Sequence, residues 1–202
     1  SHIAIETTFG NLRYFKRLPE GTECAVATSK VINLSDVFGD SDQTNKFVTR
    51  YLQSTHCDLF FADAAILVEG VAESMLLPHF IRSKFPELYQ RYITILGVNG
   101  RHAHRLSPLI EKLCLPTLVI TDLDPAEKEG YHKSVVPKRG EGQISGNYAI
   151  AKWLMKEKDI DKLVDYSEDK KEFSFASPYR FSIRLAYQTP VKVDFEGEEK
   201  EA

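Results

Sequence analysis

The sequence has few of the features that mark secreted, membrane-spanning or zinc-binding proteins. Its three cysteines, Cys24, Cys57 and Cys114, lie far apart and form no C-x-x-C pair, so neither a disulfide framework nor a zinc site is indicated. No run approaches the roughly 18 consecutive apolar residues that a transmembrane helix needs, and no signal peptide opens the chain. We therefore expect a cytoplasmic protein with reduced thiols and no membrane partner.

Two further absences bear on function. The chain has no Walker A pattern (G-x-x-x-x-G-K-S/T), so it is not expected to hydrolyse ATP by itself. It also has no excess of positive charge: 26 lysines and arginines stand against 29 acidic residues, a formal net charge of -3. This balance argues against nucleic-acid binding by bulk electrostatics. It does not exclude a metal-dependent nuclease, because bound cations reverse the sign of the site itself.

What remains is the composition of an ordinary globular protein. Hydrophobic residues make up 43% of the chain and charged residues 27%. A length of 202 residues fits one domain with an appendage and is enough to bury a core. The composition therefore favours a folded soluble protein over a disordered one.

Two short apolar runs end abruptly in acidic residues. The runs are residues 65–68 and 117–120, and each is typical of a buried strand in an α/β sheet. The acids that follow are Glu69 and Glu73 after the first run, and Asp122 and Asp124 after the second. Ligands of open α/β sheets bind at the carboxyl ends of the strands. Two such strands side by side would therefore gather these carboxylates at one edge, with Glu73 in the first turn of the following helix.

Carboxylates gathered in this way repel one another unless a cation lies between them. Hard oxygen ligands suit Mg²⁺ or Mn²⁺, and a two-ion site, with ions ~3.5 to 4 Å apart, is suited to phosphodiester hydrolysis. Glu69, Asp122 and Asp124 are predicted ligands. Glu73 would complete a second ion site or orient a water, with an exposed helix acid as the alternative. The sequence therefore predicts a divalent-metal site, with two ions expected.

Candidate phosphate contacts lie nearby in the sequence. The first is the tight turn at Asn99 and Gly100, whose amides could face a phosphate, although a purely structural turn is the stronger alternative. The second is Lys138 and Arg139, in a glycine-punctuated loop that could equally be solvated. Lys152 lies on a predicted amphipathic helix over 147–156.

Three local patterns give further structural predictions. Pro78 predicts a kink in the helix over 72–84, or a helix turn that ends near it. Trp153 is expected to be buried in the helix over 147–156. The alternation of polar and apolar residues over 181–187 predicts an edge strand.

The order of these motifs resembles the Toprim domain. The pattern of that domain is a strand ending in Glu-Gly, then a helix, a strand, a helix and a strand ending in Asp-x-Asp. Beyond the acids, the sequence resembles the OLD (overcoming lysogenization defect) nucleases more specifically, in residues 60–70, in Val98-Asn99-Gly100, in His104 and in residues 119–124. The resemblance covers roughly residues 44–190. It implies a Toprim fold, α/β and Rossmann-like, with a central, mainly parallel sheet flanked by helices. It also implies a metal-dependent DNA endonuclease in which Glu69 bridges the ions or acts as a base.

The resemblance also implies a domain order and partners. Residues 1–56 would be the tail of a preceding ATPase domain and a connector, with an expression-tag remnant as the alternative for Ser1 and His2. Residues 57–195 would be the Toprim catalytic domain and 196–202 a frayed acidic tail. The implied partners are DNA and the ATPase domain of the same ATP-dependent full-length protein, and a helicase encoded nearby is left open. The family's catalytic lysine would follow this chain, with Lys138 and Lys152 as substitutes.

Two other functions fit parts of the sequence. Asp122 and Asp124 after an apolar strand also describe the nucleophile and acid of a haloacid-dehalogenase-like phosphotransferase. That hypothesis leaves Glu69 and Glu73 unexplained and expects the strand nearer the start. A non-catalytic module that docks to nucleic acid or protein is the third hypothesis, which the negative charge and the missing lysine favour.

Overall fold

A computed structural model describes residues 11–18, 20, 25–35, 37, 46, 57–98, 102–127, 135–176 and 179–189, and the backbone of 192–195 and 198–201. The described strands are β1 (Arg13–Leu18), β2 (Thr28–Asn33), β3 (Ala64–Val68), β4 (Ile93–Gly97), β5 (Thr117–Ile120), β6 (Pro125–Ala126), β7 (Ile144–Ser145), β8 (Glu172–Phe175), β9 (Phe181–Ala186), β10 (Lys192–Phe195) and β11 (Glu198–Glu201). The α-helices are α1 (Val71–Lys84), α2 (Pro86–Tyr89), α3 (Ser107–Leu113) and α4 (Ile160–Asp165).

Shorter helical turns connect these elements. Among the turns that the structure describes in full, three are 3₁₀ turns, at Cys57–Phe60, Ala103–Leu106 and Glu168–Lys171, and one is a π-helical turn at Ala149–Leu154. None of the helices in the described ranges is long and apolar enough to cross a membrane.

The fold is organised by a five-stranded sheet in the order β4-β3-β5-β9-β8. The pairs β3–β4, β3–β5 and β5–β9 are parallel, and only the β8–β9 pair is antiparallel. The strands of a parallel sheet are covered on both faces. This burial explains why every residue of β3 is apolar. The predicted α/β fold with a mainly parallel sheet flanked by helices is confirmed.

One hydrophobic core holds the sheet, its helices and the amino-terminal hairpin together. Leu67 of β3 and Val119 of β5 are fully buried at its centre, and α3 adds Leu109. The hairpin β1–β2 and the residues that follow it contribute Ile32 and Leu34 to the same cluster. The hairpin is therefore part of the packed body.

A single lysine joins the hairpin to the end of α3. The Lys16 ammonium donates to the backbone carbonyls of Leu113 and Cys114, the latter at 2.9 Å. Cys114 ends the helix in the left-handed conformation, with φ of 48°. The last carbonyls of a helix lack partners within the helix and carry its negative dipole end, so a cation there stabilises the terminus.

Two sequence predictions about these elements are corrected by the structure. Residues 181–186 do not form an edge strand, because β9 lies between β5 and β8. Its alternation has another cause: Phe181, Ile183 and Leu185 are buried on one face, while Arg184 on the other face pairs with Glu168 at 2.8 Å. Within the segment over 147–156, Ala149–Leu154 forms a π-helical turn, and Trp153 is half-buried, donating to Glu111 at 2.9 Å.

Pro78 lies inside α1, which continues to Lys84. The alternative in which a helical turn ends near the proline therefore does not hold. One proline removes a single backbone donor, and a helix of 14 residues retains the remaining bonds.

Tyr187, just after β9, should make stability fall in alkaline solution. Burial raises its pKa to about 12, with smaller contributions from Glu168 and Tyr166, and its hydroxyl donates to the Leu163 carbonyl at 2.6 Å. An unfolded tyrosine ionises near pH 10. Between pH 10 and 12 the unfolded state therefore loses its proton first, and this contribution to stability, complete below pH 10, disappears.

The test is an ultraviolet titration of tyrosinate in the wild type and in Tyr187→Phe. The difference curve should have its midpoint near pH 12, and Tyr187→Phe should lose less stability across this interval than the wild type does. A difference curve centred near the ordinary tyrosine value of about 10 would contradict the prediction.

Candidate active site

The parallel pairing of β3 with β5 places the two acidic segments side by side. Val68 pairs with Ile120, the last residue of each strand, so Glu69 and Thr121 leave the sheet at the same edge. Asp122 follows directly. The placement predicted from the two apolar runs is confirmed, and it follows from the shared direction of parallel strands.

The Glu69 carboxylate joins the two strand ends. Its Oε2 accepts hydrogen bonds from the Thr121 hydroxyl at 2.7 Å and from the Asp122 backbone N–H at 2.9 Å. Thr121 is buried, with 6% of its surface exposed. Glu69 is therefore held by one carboxylate oxygen against the loop that carries the other acids.

Asp122 is held from the far side by Gln188, which follows β9. The Gln188 amide donates to Asp122 Oδ1 at 2.7 Å, and its carbonyl oxygen accepts from the Leu123 N–H at 2.8 Å. The pKa of Asp122 is raised, first by desolvation and then by the negative charges of Glu69, Asp124 and Glu73. The other three acids therefore lie within electrostatic reach of Asp122.

Glu73 folds back from the first turn of α1 over the preceding glycine. A β-carbon placed on Gly70 would lie 2.6 Å from Glu73 Oε2. That oxygen is buried and has no hydrogen-bond partner among the residues that the structure describes. A buried oxygen without a partner is costly, and a cationic ligand would supply one.

Asp124 ends the acidic segment in the left-handed conformation, with φ of 47°. Its carbonyl accepts from the Gly146 N–H at 2.8 Å, and the Leu123 carbonyl accepts from the Ser145 hydroxyl at 2.7 Å. A left-handed aspartate is uncommon but tolerated, and the surrounding hydrogen bonds hold it there.

The donor chemistry of this edge fits a hard divalent cation. Four carboxylates supply oxygen ligands, and within the described ranges Glu69, Glu73 and Asp122 form no ion pair with a lysine, arginine or histidine. The side chains do not, however, stand in ligand geometry: in the described residues no three His, Cys, Asp or Glu side chains converge on one metal position. Mg²⁺ keeps several waters and uses only one or two carboxylates, so such an ion does not need a closed cage.

The predicted phosphate contacts have different outcomes. Asn99 and Gly100 lie outside the described residues. Lys138 lies 3.4 Å from Glu141, and Arg139 pairs with Asp165 of α4. The Gly140 N–H also donates to Asp161 of α4, at 2.9 Å. This loop is therefore tied to α4.

Lys152 stands beside an aromatic ring. Its ammonium stands 4.1 Å from the centre of the Tyr148 ring, and the His104 ring meets the same tyrosine edge-on at 5.3 Å. Tyr148 follows Asn147, whose side-chain amide donates to the Asp122 carbonyl at 3.0 Å. The structure thus places a cation and an exposed aromatic ring on the helical turn that begins next to Asn147.

Three residues of the site were missed by the sequence analysis. Thr121 and Asn147 bond to each other at 2.7 Å beneath the acids, and Gln188 bonds to Asp122. A polar residue closing an apolar strand could have indicated Thr121. Nothing local points to Gln188, which is 66 positions from its partner.

Comparison with known proteins agrees with this architecture. The family model described as the overcoming lysogenization defect protein-like TOPRIM domain matches residues 60–124. The chain is 32% identical over 168 residues to the protein named Endonuclease GajA from Bacillus cereus (strain HuB5-5). The alignment covers 79% of this chain and 23% of that relative, so the chain spans less than a quarter of the relative's length. Residues 60–124 are thus similar to the OLD-like TOPRIM domain, and the mostly parallel sheet with acids at its carboxyl edge agrees with that similarity.

Proposed function

We propose that this chain is the metal-dependent DNA endonuclease domain of an ATPase-coupled OLD family nuclease. The observation that carries the proposal is the gathering of Glu69, Glu73, Asp122 and Asp124 at the carboxyl edge of the sheet, where burial and then the charges of the other three acids raise the pKa of Asp122. Repulsion of this kind is destabilising unless a cation offsets it. The similarity to a protein named an endonuclease supports phosphodiester hydrolysis as the reaction.

The four acids would hold Mg²⁺ or Mn²⁺, with two ions as the proposed number. When bound, the metal would activate a water for attack on phosphorus and stabilise charge on the leaving oxygen. The chain's own contribution is to hold the ligands in place. Thr121 and the Asp122 N–H hold Glu69, and Gln188 holds Asp122. Glu73 brings an oxygen that has no partner in the part of the chain that the structure describes.

Lys152 and Tyr148 are the proposed contact for the DNA strand beside the acids. A lysine ammonium binds phosphate oxygens, and an exposed aromatic ring offers a face on which a base stacks. Tyr148 has 43% of its surface exposed. Lys138 and Arg139 are weaker proposals because each would have to leave an ion pair. Contacts from the turn at Asn99 and Gly100 stay predictions.

The wider assembly is also a proposal. An ATPase domain in the same polypeptide fits the fact that the chain covers only 23% of its relative. Cleavage coupled to ATP, a helicase partner and a cytoplasmic location rest on the family resemblance and on composition.

The test is a plasmid-nicking assay with Mg²⁺, Mn²⁺ or EDTA, comparing the wild type with Glu69→Gln. Glu87→Gln, an exposed acid in the first turn of α2, is the matched control. Cleavage should need Mg²⁺ or Mn²⁺, fall at least about 100-fold in Glu69→Gln, and persist in the control. Lys152→Ala should raise the KM for DNA and flatten its salt dependence, with little change in kcat.

Other outcomes would decide against the proposal. Equal cleavage by Glu69→Gln and the wild type would place the reaction elsewhere. A protein that neither binds metal nor cleaves would instead be a docking module. A stable adduct of BeF₃⁻ with the Asp122 carboxylate, which mimics an aspartyl phosphate, would favour the phosphotransferase alternative.

A further inference from the structure

Asn147 is a buried amide with all of its polar side-chain atoms in use. None of its surface is exposed. Its Nδ2 donates to Thr121 Oγ1 at 2.7 Å and to the Asp122 carbonyl at 3.0 Å, and its Oδ1 accepts from the Ala149 N–H at 2.9 Å. Its own N–H donates to Ser145 Oγ at 3.2 Å. A buried polar side chain of this kind fixes its neighbours when it is fully satisfied.

The direction of these hydrogen bonds leads to Glu69. A threonine hydroxyl has one proton to donate. Because Asn147 donates to Thr121 Oγ1, the hydroxyl proton is left for Glu69 Oε2, which lies 2.7 Å away. The chain of donors therefore runs from Asn147 through Thr121 to the carboxylate. It ends on an acceptor, which is the role of an ionised carboxylate.

Gln188 makes two hydrogen bonds to the segment that follows β5. The Leu123 N–H can only donate, so it meets the amide oxygen of Gln188 at 2.8 Å, and the amide nitrogen must then face Asp122 Oδ1 at 2.7 Å. Gln188 follows β9, which is parallel to β5. The same edge of the sheet thus supplies both the acid and the group that orients it.

These contacts oppose the repulsion between the acids. Like charges that face each other separate when nothing holds them. Here Asn147 and Gln188 hold the backbone of the Asp122 segment, the Glu69 carboxylate and the Asp122 carboxylate from two sides. Less binding free energy is then needed to order the ligands when a cation arrives.

We propose that Asn147 and Gln188 are positioning residues that pre-organise Glu69 and Asp122 for a divalent cation. The inference rests on the proposed function, since it assigns the role of these amides at the same carboxylate site. Neither amide needs to touch the ion. Each acts through a carboxylate that it orients. Residues that hydrogen-bond to metal ligands in this way are known from other metal sites, and mutating them lowers metal affinity about 10- to 100-fold.

The experiment measures Mn²⁺ affinity by calorimetry in the full chain, with melting temperature as a check on folding. Gln188→Met keeps the length of the side chain but cannot donate to Asp122. Gln90→Met changes an exposed glutamine in the turn after α2 and is the matched control. Gln188→Met should weaken Mn²⁺ binding about 10- to 100-fold with its melting temperature little changed, and Gln90→Met should bind as the wild type does.

Asn147→Ala is the second variant and is expected to weaken Mn²⁺ binding in the same range. Because this substitution leaves buried groups without partners, its Mn²⁺ affinity is interpreted only when the variant folds. Gln188→Met carries the test when it does not. In nicking assays both variants should lower kcat at saturating DNA while leaving the KM for DNA unchanged.

The outcomes separate this inference from the function on which it rests. Wild-type protein that binds Mn²⁺ and cleaves, with Gln188→Met binding Mn²⁺ equally well, would overturn the positioning role and leave the nuclease proposal standing. Wild-type protein that neither binds Mn²⁺ nor cleaves would overturn both.

Discussion

Replacing Asp122 with asparagine is expected to abolish cleavage while making the metal-free protein more stable. The loss of activity should exceed the roughly 100-fold that outer-ligand changes cost, since a proposed ligand itself is removed. The gain in stability has a separate cause. In the wild type, burial and the charges of Glu69, Asp124 and Glu73 raise the pKa of Asp122, so its ionised form is disfavoured in the folded state. Asparagine removes that charge and still offers an oxygen to Gln188.

Thermal unfolding in EDTA and in Mg²⁺ separates the two effects. In EDTA the melting temperature of Asp122→Asn should rise slightly, on the order of 1–2 °C. Added Mg²⁺ should stabilise the wild type, by mass action, more than the variant. Glu87→Gln, at an exposed position in the first turn of α2, which precedes the amino end of β4, is the control and should change neither value. A lower melting temperature of Asp122→Asn in EDTA would show that the acids do not destabilise the fold.

Of the substitutions proposed for this chain, Leu67→Ala should cause the largest loss in the free energy of unfolding. Leu67 of β3 lies directly between Leu96 of β4 and Val119 of β5, and all three side chains are fully buried. The sheet cannot close around the missing atoms, because two strands hold β3 in register on either side. We expect a loss of about 2–5 kcal/mol in the free energy of unfolding.

Urea unfolding of Leu67→Ala and Met75→Ala measures this effect. Met75 lies on α1 with 73% of its surface exposed, so its truncation should change stability by less than about 0.5 kcal/mol. The midpoint of Leu67→Ala should fall without a change in slope. Equal midpoints for the two variants would contradict the central position of β3 in the core.

The sheet and the acidic edge could be predicted because both depend on short-range patterns. The apolar runs at 65–68 and 117–120 require burial on both faces, and parallel strands bring their carboxyl ends to one edge. This reasoning placed Glu69 and Asp122 side by side, as the pairing of Val68 with Ile120 shows. It also placed Glu73 in the first turn of α1.

Long-range partners could not be predicted in the same way. The alternation over 181–186 has the same appearance on an edge strand and on β9, because only β8, packed alongside, distinguishes them. The contact of Gln188 with Asp122 depends on β9 lying next to β5. Likewise, two adjacent cations at 138 and 139 give no sign that Arg139 pairs with Asp165. In each case the deciding neighbour is distant in sequence.

The hydrogen bonds from Lys16 to the end of α3 show that the folded unit is larger than residues 60–124, the stretch that matches the family model. Residues 60–124 contain all four acids, yet the donor that caps α3 comes from β1, and Gln188 and Asn147 come from beyond Asp124. A transplant of residues 60–124 into another protein would therefore carry the acids without the groups that hold them. Its boundaries should instead include the hairpin at one end and Gln188 at the other.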